Sequence, residues 1–310
     1  MIENRQPIVV YGALRSGTTL FRLMLYQNTR IVSPGETDFL FDHLDGETID
    51  HSAAQDDLFY QSVIHDPDNH PQDSTAFDWM LSELRKDETK DNPALVLIHH
   101  RNLSQILERF PEAKFIHLVR DPRDVARSST KMGWAGSTYY GIDHWLKTEV
   151  DWSKQAARLR PKQVLTIHYE DLVQSPEATL SAVCDFIGVS FESFMLEYDK
   201  TSTYSKPDKS LVYQWKTKQT PREVAVVEHK VGNFLTDLGY EPSGHPRVVP
   251  SAIQRIGYYF HNKYVTWHIR IKRYGLVDPV IEATSRRLNW PELDKKSKAR
   301  REEKRNKYLK

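Results

Sequence analysis

Short apolar runs, each followed by a stretch with helical periodicity, recur along most of the chain. The runs are rich in β-branched and aromatic residues, as strands buried on both faces are. The apolar runs occupy residues 8–11, 94–98, 114–119 and 164–169, and residues 30–37 form a short second strand that ends in a turn. The helical stretches occupy residues 20–27, 74–87, 102–110, 140–159, 175–187 and 220–238. This alternation predicts an α/β fold with three layers, in which a mostly parallel sheet has helices on both faces.

A different pattern begins beyond residue 250. Aromatic and aliphatic side chains mix with Lys and Arg over residues 253–274, which predicts an amphipathic helix. This helix could pack on the main domain with a solvated basic face, which we favour, or make peripheral contact with a membrane surface. We therefore divide the chain into an α/β domain of residues 1–248 and a helical, basic C-terminal extension of residues 249–310.

The loop after the first strand, residues 12–19, is bracketed by glycines and leads directly into a helix. Backbone N–H groups and a helix N-terminus converge there, which suits phosphate or sulfate. The spacing follows the phosphate-loop pattern GxxxxGKS/T, except that Thr18 stands in the place of the lysine. The positively charged side chain of this loop is Arg15 instead, so we expect a P-loop-like anion site rather than a site for a metal-bound triphosphate.

The composition limits the classes of site and compartment. The single cysteine, Cys184, excludes an internal disulfide and a cysteine-based zinc site. No signal peptide and no apolar run of about 20 residues is found, which predicts a cytoplasmic protein. His65, Asp66, Asp68 and His70 could hold a metal, but their spacing suits a solvated loop equally well, and no metal is expected.

Charge is distributed unevenly along the chain. No Lys or Arg lies between Arg30 and Arg85, whereas aspartate is frequent in residues 38–73. This acidic segment has little periodicity, and a segment of that length in a compact domain is usually a functional lid or is disordered. The tail is basic, but it lacks interleaved aromatic residues, so no nucleic-acid partner is expected.

Polar residues follow several of the predicted strands. Parallel strands place their carboxyl ends at one edge of a sheet, and α/β folds bind ligands at that edge. We therefore expect one rim to carry Arg15, Glu36, His99, His100, Arg120 and Tyr169.

A second motif follows the strand at residues 114–119. It reads Arg120-Asp-Pro-Arg-Asp, with Ser128 eight residues after Arg120. Together with the Leu14-Arg-Ser-Gly-Thr-Thr19 loop, this motif resembles the sulfotransferase family that uses 3′-phosphoadenosine 5′-phosphosulfate. The resemblance covers residues 7–240 and includes the Tyr-Glu-Asp-Leu sequence that begins at Tyr169.

The resemblance implies a role for each matching residue in cofactor binding. Arg120 and Ser128 are expected to bind the 3′-phosphate, and Tyr169 to lie against the adenine. Lys206 resembles a late cofactor-binding lysine of the tyrosine-sulfating branch. The residues expected to hold the 5′-phosphosulfate are Arg15, Ser16, Gly17, Thr18 and Thr19.

The resemblance also implies catalytic roles. Glu36, in a Gly-Glu-Thr turn, matches the general base that takes the proton of the acceptor hydroxyl as oxygen attacks sulfur in line. Arg15 would neutralise the charge that develops on the phosphate leaving group, so no metal is required. The lysine of the family's Asp-Lys-Thr-Pro segment is absent, and His99 or His100 could replace it as an acid, a base or a hydrogen-bond donor. We name His99 as the catalytic residue, and a structural histidine at the end of the strand is the equal alternative.

Two other functions stay open at this stage. One is a P-loop nucleotide kinase, against which the missing lysine counts, and the other is a non-catalytic binding module with the same fold. For a sulfotransferase, the expected acceptor is a small molecule or glycan, such as a carbohydrate, a glycolipid or a phenol. The acidic segment would repel a polyanion, so a heavily acidic acceptor is not expected. The oligomeric state cannot be predicted.

Overall fold

The computed structural model describes residues 6–45, 48–49, 54, 57–64, 75–86, 94–288, 290, 297 and 300–301. The candidate metal ligands at residues 65–70, much of the acidic segment and most of the basic tail lie outside these residues. The chain forms two compact units, Met1–Asp121 with His144–Gln214 and Pro122–Asp143 with Trp215–Lys310. The division at residue 248 stays a prediction.

A parallel sheet forms the centre of the first unit. Its order is β2–β5–β1–β6–β7, and each neighbouring pair is parallel. A separate antiparallel pair joins β3 to β4. The strands are β1 (Ile8–Gly12), β2 (Ile31–Val32), β3 (Leu44–Asp45), β4 (Thr48–Ile49), β5 (Ala94–His99), β6 (Lys114–Val119) and β7 (Val164–His168).

Helices precede and follow these strands as the sequence pattern predicts. In chain order they are α1 (Thr18–Tyr26), α2 (Phe39–Asp42), α3 (Leu58–Val63), α4 (Ala76–Leu84), α5 (Leu103–Arg109), α6 (Pro122–Lys131), α7 (Thr138–Gly141), α8 (Asp143–Gln155), α9 (Tyr169–Gln174), α10 (Pro176–Ile187), α11 (Trp215–Lys218), α12 (Pro221–Val231), α13 (Phe234–Asp237), α14 (Ala252–Tyr274) and α15 (Val277–Leu288). A 3₁₀ helix, Ser193–Lys200, follows α10.

Alternate residues of the central strands enter two different cores. On β1, Val9 and Tyr11 join a cluster with side chains from α2, α4 and α5. Ile8 and Val10 join the opposite cluster, with side chains from α1 and α10. Both faces of the sheet are therefore covered, which confirms the predicted α/β class and explains why these strands are apolar throughout.

Two predicted helices have different bounds in the structure. The helix predicted over residues 140–159 is two helices, α7 and α8. The helix predicted to run to Leu238 begins with the expected Thr220–Glu223 capping box but ends at Val231. Gly232 follows with φ 57° and ψ −133°, a conformation outside the helical region that glycine adopts most easily.

In the second unit, the long helix α14 packs on residues 132–139. The side chain of Asn262 accepts a hydrogen bond from the N–H of Gly136 at 2.6 Å, and Tyr258 stacks on Tyr139 with 5.1 Å between the ring centroids. A Cβ atom on Gly133 would lie 2.7 Å from Ile269, so glycine permits the close approach. In the described part of the chain, no helix is both long and apolar enough to cross a membrane.

Candidate active site

The loop between β1 and α1 has the backbone of an anion-binding turn. Arg15 and Gly17 have positive φ angles of 73° and 95°, and the N–H of Ser16 donates to the carbonyl oxygen of Ala13 at 3.0 Å. Gly17 is the N-cap of α1, and no side chain caps that helix end. Left-handed residues in such a loop aim N–H groups into one concavity, and the helix dipole favours negative charge there.

The side chain of Ser16 fits a bound oxyanion. It is fully buried, and its hydroxyl has no hydrogen-bond partner among the described residues. Leaving a buried hydroxyl without a partner costs about 1–3 kcal/mol. A phosphate or sulfate oxygen bound in the loop would accept its hydrogen bond.

Two guanidinium groups bring positive charge to this loop. Burial, and then the neighbouring charge of Arg120, lower the pKa of Arg15 below its usual value. The second cause means that the two cations repel each other. An anionic ligand would relieve that repulsion, so these residues fit a phosphate-bearing group.

Arg120, at the carboxyl end of β6, is held by several groups of the first unit. Its Nη1 donates to the carbonyl oxygen of Arg15 at 3.1 Å, and its Nη2 donates to that of Leu211 at 3.3 Å. The backbone carbonyl of Arg120 accepts a hydrogen bond from Trp145 Nε1 at 3.0 Å. Its Nε atom is buried without a hydrogen-bond partner in the described part of the chain, and since a guanidinium has five N–H donors, donors remain for a ligand.

Tyr169 begins α9 directly after β7 and connects Arg120 to the loop. The guanidinium carbon of Arg120 lies 4.1 Å from the centroid of the Tyr169 ring, a cation–π distance. A Cβ atom on Gly17 would lie only 2.3 Å from Cδ2 of the same ring. The ring therefore supports both the loop and Arg120, and its predicted contact with adenine stays a prediction.

Glu36 and His100 meet at the carboxyl ends of β2 and β5. Glu36 extends the strand pairing through a bridge to Ile98, and its Oε1 lies 3.7 Å from Nε2 of His100. The other ring nitrogen, Nδ1, lies 2.7 Å from the carbonyl oxygen of Gly12. Because a carbonyl can only accept, Nδ1 carries a proton, and Nε2 is the atom that faces the carboxylate.

The surroundings of His100 favour its charged form. Burial alone would lower its pKa, but the neighbouring carboxylates of Glu36 and Asp38 outweigh burial and raise the pKa. A positive charge on His100 lies beside Glu36, in the region where the family's lysine is absent.

His99 points into a different environment. It is fully buried, its Nε2 lies 3.2 Å from the hydroxyl of Thr37, and its ring lies 5.5 Å from that of Phe41. Its Nδ1 lies 3.6 Å from Asp38. These contacts favour a structural role that holds the turn after Glu36 against β5. The sequence prediction named His99 as the catalytic histidine, whereas the structure places His100 beside Glu36.

Asp38 holds the turn after Glu36 against the end of β5, and it was not predicted as a site residue. Its carboxylate accepts a hydrogen bond from the N–H of His100 at 2.9 Å. Burial would raise the pKa of Asp38, but the neighbouring His99, His100 and Arg101 outweigh it and lower the pKa. An aspartate in an acidic stretch carries no signal of this contact in the sequence.

The remaining predicted residues lie in three places. Thr18 and Thr19 form the first turn of α1, where Thr18 is buried and Thr19 half-buried. Lys206 is exposed after the 3₁₀ helix of the first unit. Ser128 is half-buried on α6 and belongs to the second unit. The predicted contacts of Ser128 and Lys206 with the cofactor stay predictions.

Comparison with known proteins identifies the class to which this fold and loop belong. The sequence profile described as "Sulfotransferase family" matches residues 7–193, which include the loop, Glu36, Arg120 and Tyr169. This match covers more than half of the chain, and the chain therefore belongs to the sulfotransferase family. The resemblance inferred from the two motifs is confirmed.

Individual relatives are distant. A putative protein-tyrosine sulfotransferase of Caenorhabditis briggsae is 26% identical over 217 residues, covering 64% of this chain and 71% of that protein. Omega-hydroxy-beta-dihydromenaquinone-9 sulfotransferase Stf3 of Mycobacterium bovis is 28% identical over 157 residues, covering 46% of this chain and 39% of that protein. The chain spans only 27 to 39% of the length of several curated relatives that it matches.

A solved structure supports the same fold. The sulfotransferase domain of the Synechococcus PCC 7002 olefin synthase superposes with a TM-score of 0.56 at 21% sequence identity. The aligned region covers 74% of this chain and 96% of that domain. At this identity the likeness concerns the fold, and it agrees with the parallel sheet described above.

Proposed function

We propose that this protein transfers a sulfuryl group from 3′-phosphoadenosine 5′-phosphosulfate to an acceptor hydroxyl. The observation that carries the proposal is the position of Arg120, which lies against an anion loop that already contains Arg15. Two cations on adjacent strand ends suit a ligand with more than one anionic group, which the phosphosulfate and the 3′-phosphate of the donor supply. Membership of the sulfotransferase family supports the same donor.

The residues of the loop would hold the phosphosulfate end of the donor. The buried hydroxyl of Ser16 and the N-terminus of α1 donate to its oxygens, and Arg15 offers a planar pair of donors that suits phosphate. Arg120 would bind the 3′-phosphate through guanidinium N–H groups that its two backbone carbonyl partners leave available. The family motifs imply further contacts with the donor, which we assign to Ser128, Thr18, Thr19 and Lys206.

The bound donor supplies a sulfuryl group that is already attached to a phosphate leaving group. Glu36 accepts the proton of the acceptor hydroxyl at a carboxylate oxygen as that hydroxyl attacks in line. His100 acts through Glu36 as a positioning residue, because its Nε2 faces the carboxylate while Gly12 fixes the other side of the ring. Arg15 neutralises the charge that develops on the leaving phosphate.

Acceptors with an alcohol or phenol hydroxyl are proposed. Two named relatives support two classes, since one is called a protein-tyrosine sulfotransferase and the other a sulfotransferase of a hydroxylated menaquinone. The acidic residues between positions 38 and 73 disfavour a polyanionic acceptor. Small phenols, hydroxylated lipids, carbohydrates and peptides with few acidic residues are therefore the first acceptors to test.

The test is transfer of ³⁵S from the labelled donor to a panel of these acceptor classes. We expect label on at least one class with the wild-type protein, none with Arg15→Ala, and undiminished transfer with Arg30→Ala, which removes an exposed arginine away from the loop. A protein that binds ATP with Mg²⁺ by calorimetry, but does not bind adenosine 3′,5′-bisphosphate, would instead be a nucleotide kinase. Binding of the bisphosphate without transfer to any class would indicate a binding module.

A further inference from the structure

We propose that α14 docks the second unit on the surface of an anionic lipid bilayer, with an exposed apolar face of the helix at the interface. The proposal is independent of the sulfuryl-transfer function. It depends on the two faces of this helix, on the charges around the exposed face and on the places of the nearby carboxylates.

One face of α14 is already occupied within the second unit. Tyr258, Asn262, Val265 and Ile269 follow each other at intervals of three or four residues, and all contact the segment of residues 133–139. Near the end of the helix, Arg273 donates to the carbonyl oxygen of Met132 at 3.3 Å. These contacts fix which side of the helix faces outward.

The opposite face is apolar and exposed. Ile253, Ile256, Phe260 and Tyr264 are 82%, 57%, 65% and 70% exposed. They too recur at intervals of three or four residues, so they form one stripe, and at about 100° per residue this stripe lies opposite the packed face. Solitary exposed apolar residues are common on proteins, but a continuous stripe of large ones indicates an interaction site.

The charges around the stripe are of one sign. The sequence contains no Asp or Glu from residue 242 to residue 277. Arg255, Lys263 and Lys272 lie on α14 and form no ion pair with a described residue. Of the three, Lys263 lies beside the stripe, and an exposed apolar stripe on a helix whose charged side chains are all positive matches a bilayer surface, in which acyl chains lie beneath anionic head groups.

The acidic residues of α15 do not offset this charge. Asp278 and Glu282 of α15 are buried, with 2% and 4% exposure. Asp278 pairs with Arg300 at 2.7 Å, and Glu282 pairs with Arg270 of α14. An anionic surface approaching α14 therefore meets exposed cations and no exposed carboxylate of these two helices among the described residues. A second copy of this chain that met α14 through its own α14 would instead bring cations against cations, which is why the bilayer is favoured.

The test is co-sedimentation of the full chain with vesicles of phosphatidylcholine alone or with about 30% phosphatidylserine. We expect binding to the anionic vesicles, much weaker binding to the neutral ones, and loss of binding as salt rises toward about 0.5 M. Phe260→Glu should reduce the partition coefficient by about tenfold or more. Lys263→Gln should reduce it about fivefold on anionic vesicles only.

Matched controls separate the stripe from general surface effects. Phe194→Glu changes a phenylalanine of similar exposure, 61%, in the first unit, and Lys162→Gln changes an exposed lysine there. Both controls should bind vesicles like the wild type, and all variants should keep the wild-type circular dichroism spectrum. Equal binding of the wild type to both vesicle types would overturn the proposal. So would binding of Phe260→Glu as strong as that of the wild type. The third contrary result is self-association on sedimentation that Phe260→Glu abolishes, with no binding to vesicles.

Discussion

His100 lies between two groups that fix its ring from opposite sides. Its Nε2 is 3.7 Å from Oε1 of Glu36, and its Nδ1 is 2.7 Å from the carbonyl oxygen of Gly12. Gly12 is the last residue of β1, directly before the anion loop. The histidine therefore connects the loop to the proposed general base, and a change at either end should affect the other.

Replacing Glu36 tests its role as the base. Glu36→Gln should lower kcat by about 10²- to 10⁴-fold, because an amide cannot accept the acceptor's proton, while the affinity for adenosine 3′,5′-bisphosphate changes little. The exposed Glu177→Gln is the matched control and should have the wild-type kcat. Initial rates of ³⁵S transfer and calorimetric binding provide the two measurements, and an unchanged kcat for Glu36→Gln would remove this residue from the mechanism.

His100→Gln should act through Glu36 rather than independently. We expect a fall in kcat with little change in bisphosphate affinity, and a double variant with Glu36→Gln that is not much slower than Glu36→Gln alone, because both changes disable one unit. The pH–rate profile of His100→Gln should also be displaced along the pH axis relative to that of the wild type. Additive losses in the double variant would show that the two side chains act separately.

The raised pKa of His100 predicts how stability depends on pH. A folded-state pKa above the usual value of 6.5 means that the folded protein holds this proton more tightly than the unfolded chain. The stabilisation is fully present below about pH 6.5 and is lost as the pH rises through the raised pKa. Urea unfolding across this range should show the loss in the wild type and not in His100→Gln; parallel curves would contradict the prediction.

Gly17→Ala should disrupt the anion loop. The new Cβ atom would lie 2.3 Å from the Tyr169 ring, and φ is 95° at this position, which L-residues adopt only with strain. We expect lower thermal stability and loss of bisphosphate binding. Combining it with Tyr169→Ala removes the clash but not the backbone strain, so binding should not return. Full binding by Gly17→Ala alone would mean that the loop does not hold the ligand.

Cys184 should be unreactive in the folded protein. Burial, and then two nearby carboxylates, raise the pKa of its thiol to about 11, and the side chain is fully buried between α10 and the sheet. Labelling by a thiol reagent at pH 8 should be slow without denaturant and rapid in urea. Rapid labelling under native conditions would indicate local opening of α10.

The sequence was sufficient for the architecture and for the loop. Buried strands have a strong apolar pattern. The loop glycine indicates a positive φ angle and Arg15 indicates a positive charge, and both can be recognised from the sequence alone. The bounds of α12 were not predictable, because Gly232 can either continue or end a helix and only its tertiary surroundings decide.

The choice between His99 and His100 was also beyond the sequence. Successive residues of a strand point to opposite faces, so the two histidines necessarily differ in environment, but the pattern does not say which one meets Glu36. The anchoring role of Asp38 and the contact of Tyr169 with Gly17 depend on distant segments meeting in space. Neither has a local signature.

The most direct test of the account is the calorimetric affinity of the full chain for adenosine 3′,5′-bisphosphate relative to adenosine monophosphate. Separate binding of the 5′-phosphate by the loop with Arg15 and of the 3′-phosphate by Arg120 predicts that the bisphosphate binds about 10- to 100-fold more tightly. Arg120→Ala should remove most of this preference, Arg15→Ala should weaken both ligands, and Arg30→Ala should change neither. Equal affinity of the wild-type protein for the two nucleotides would contradict the account.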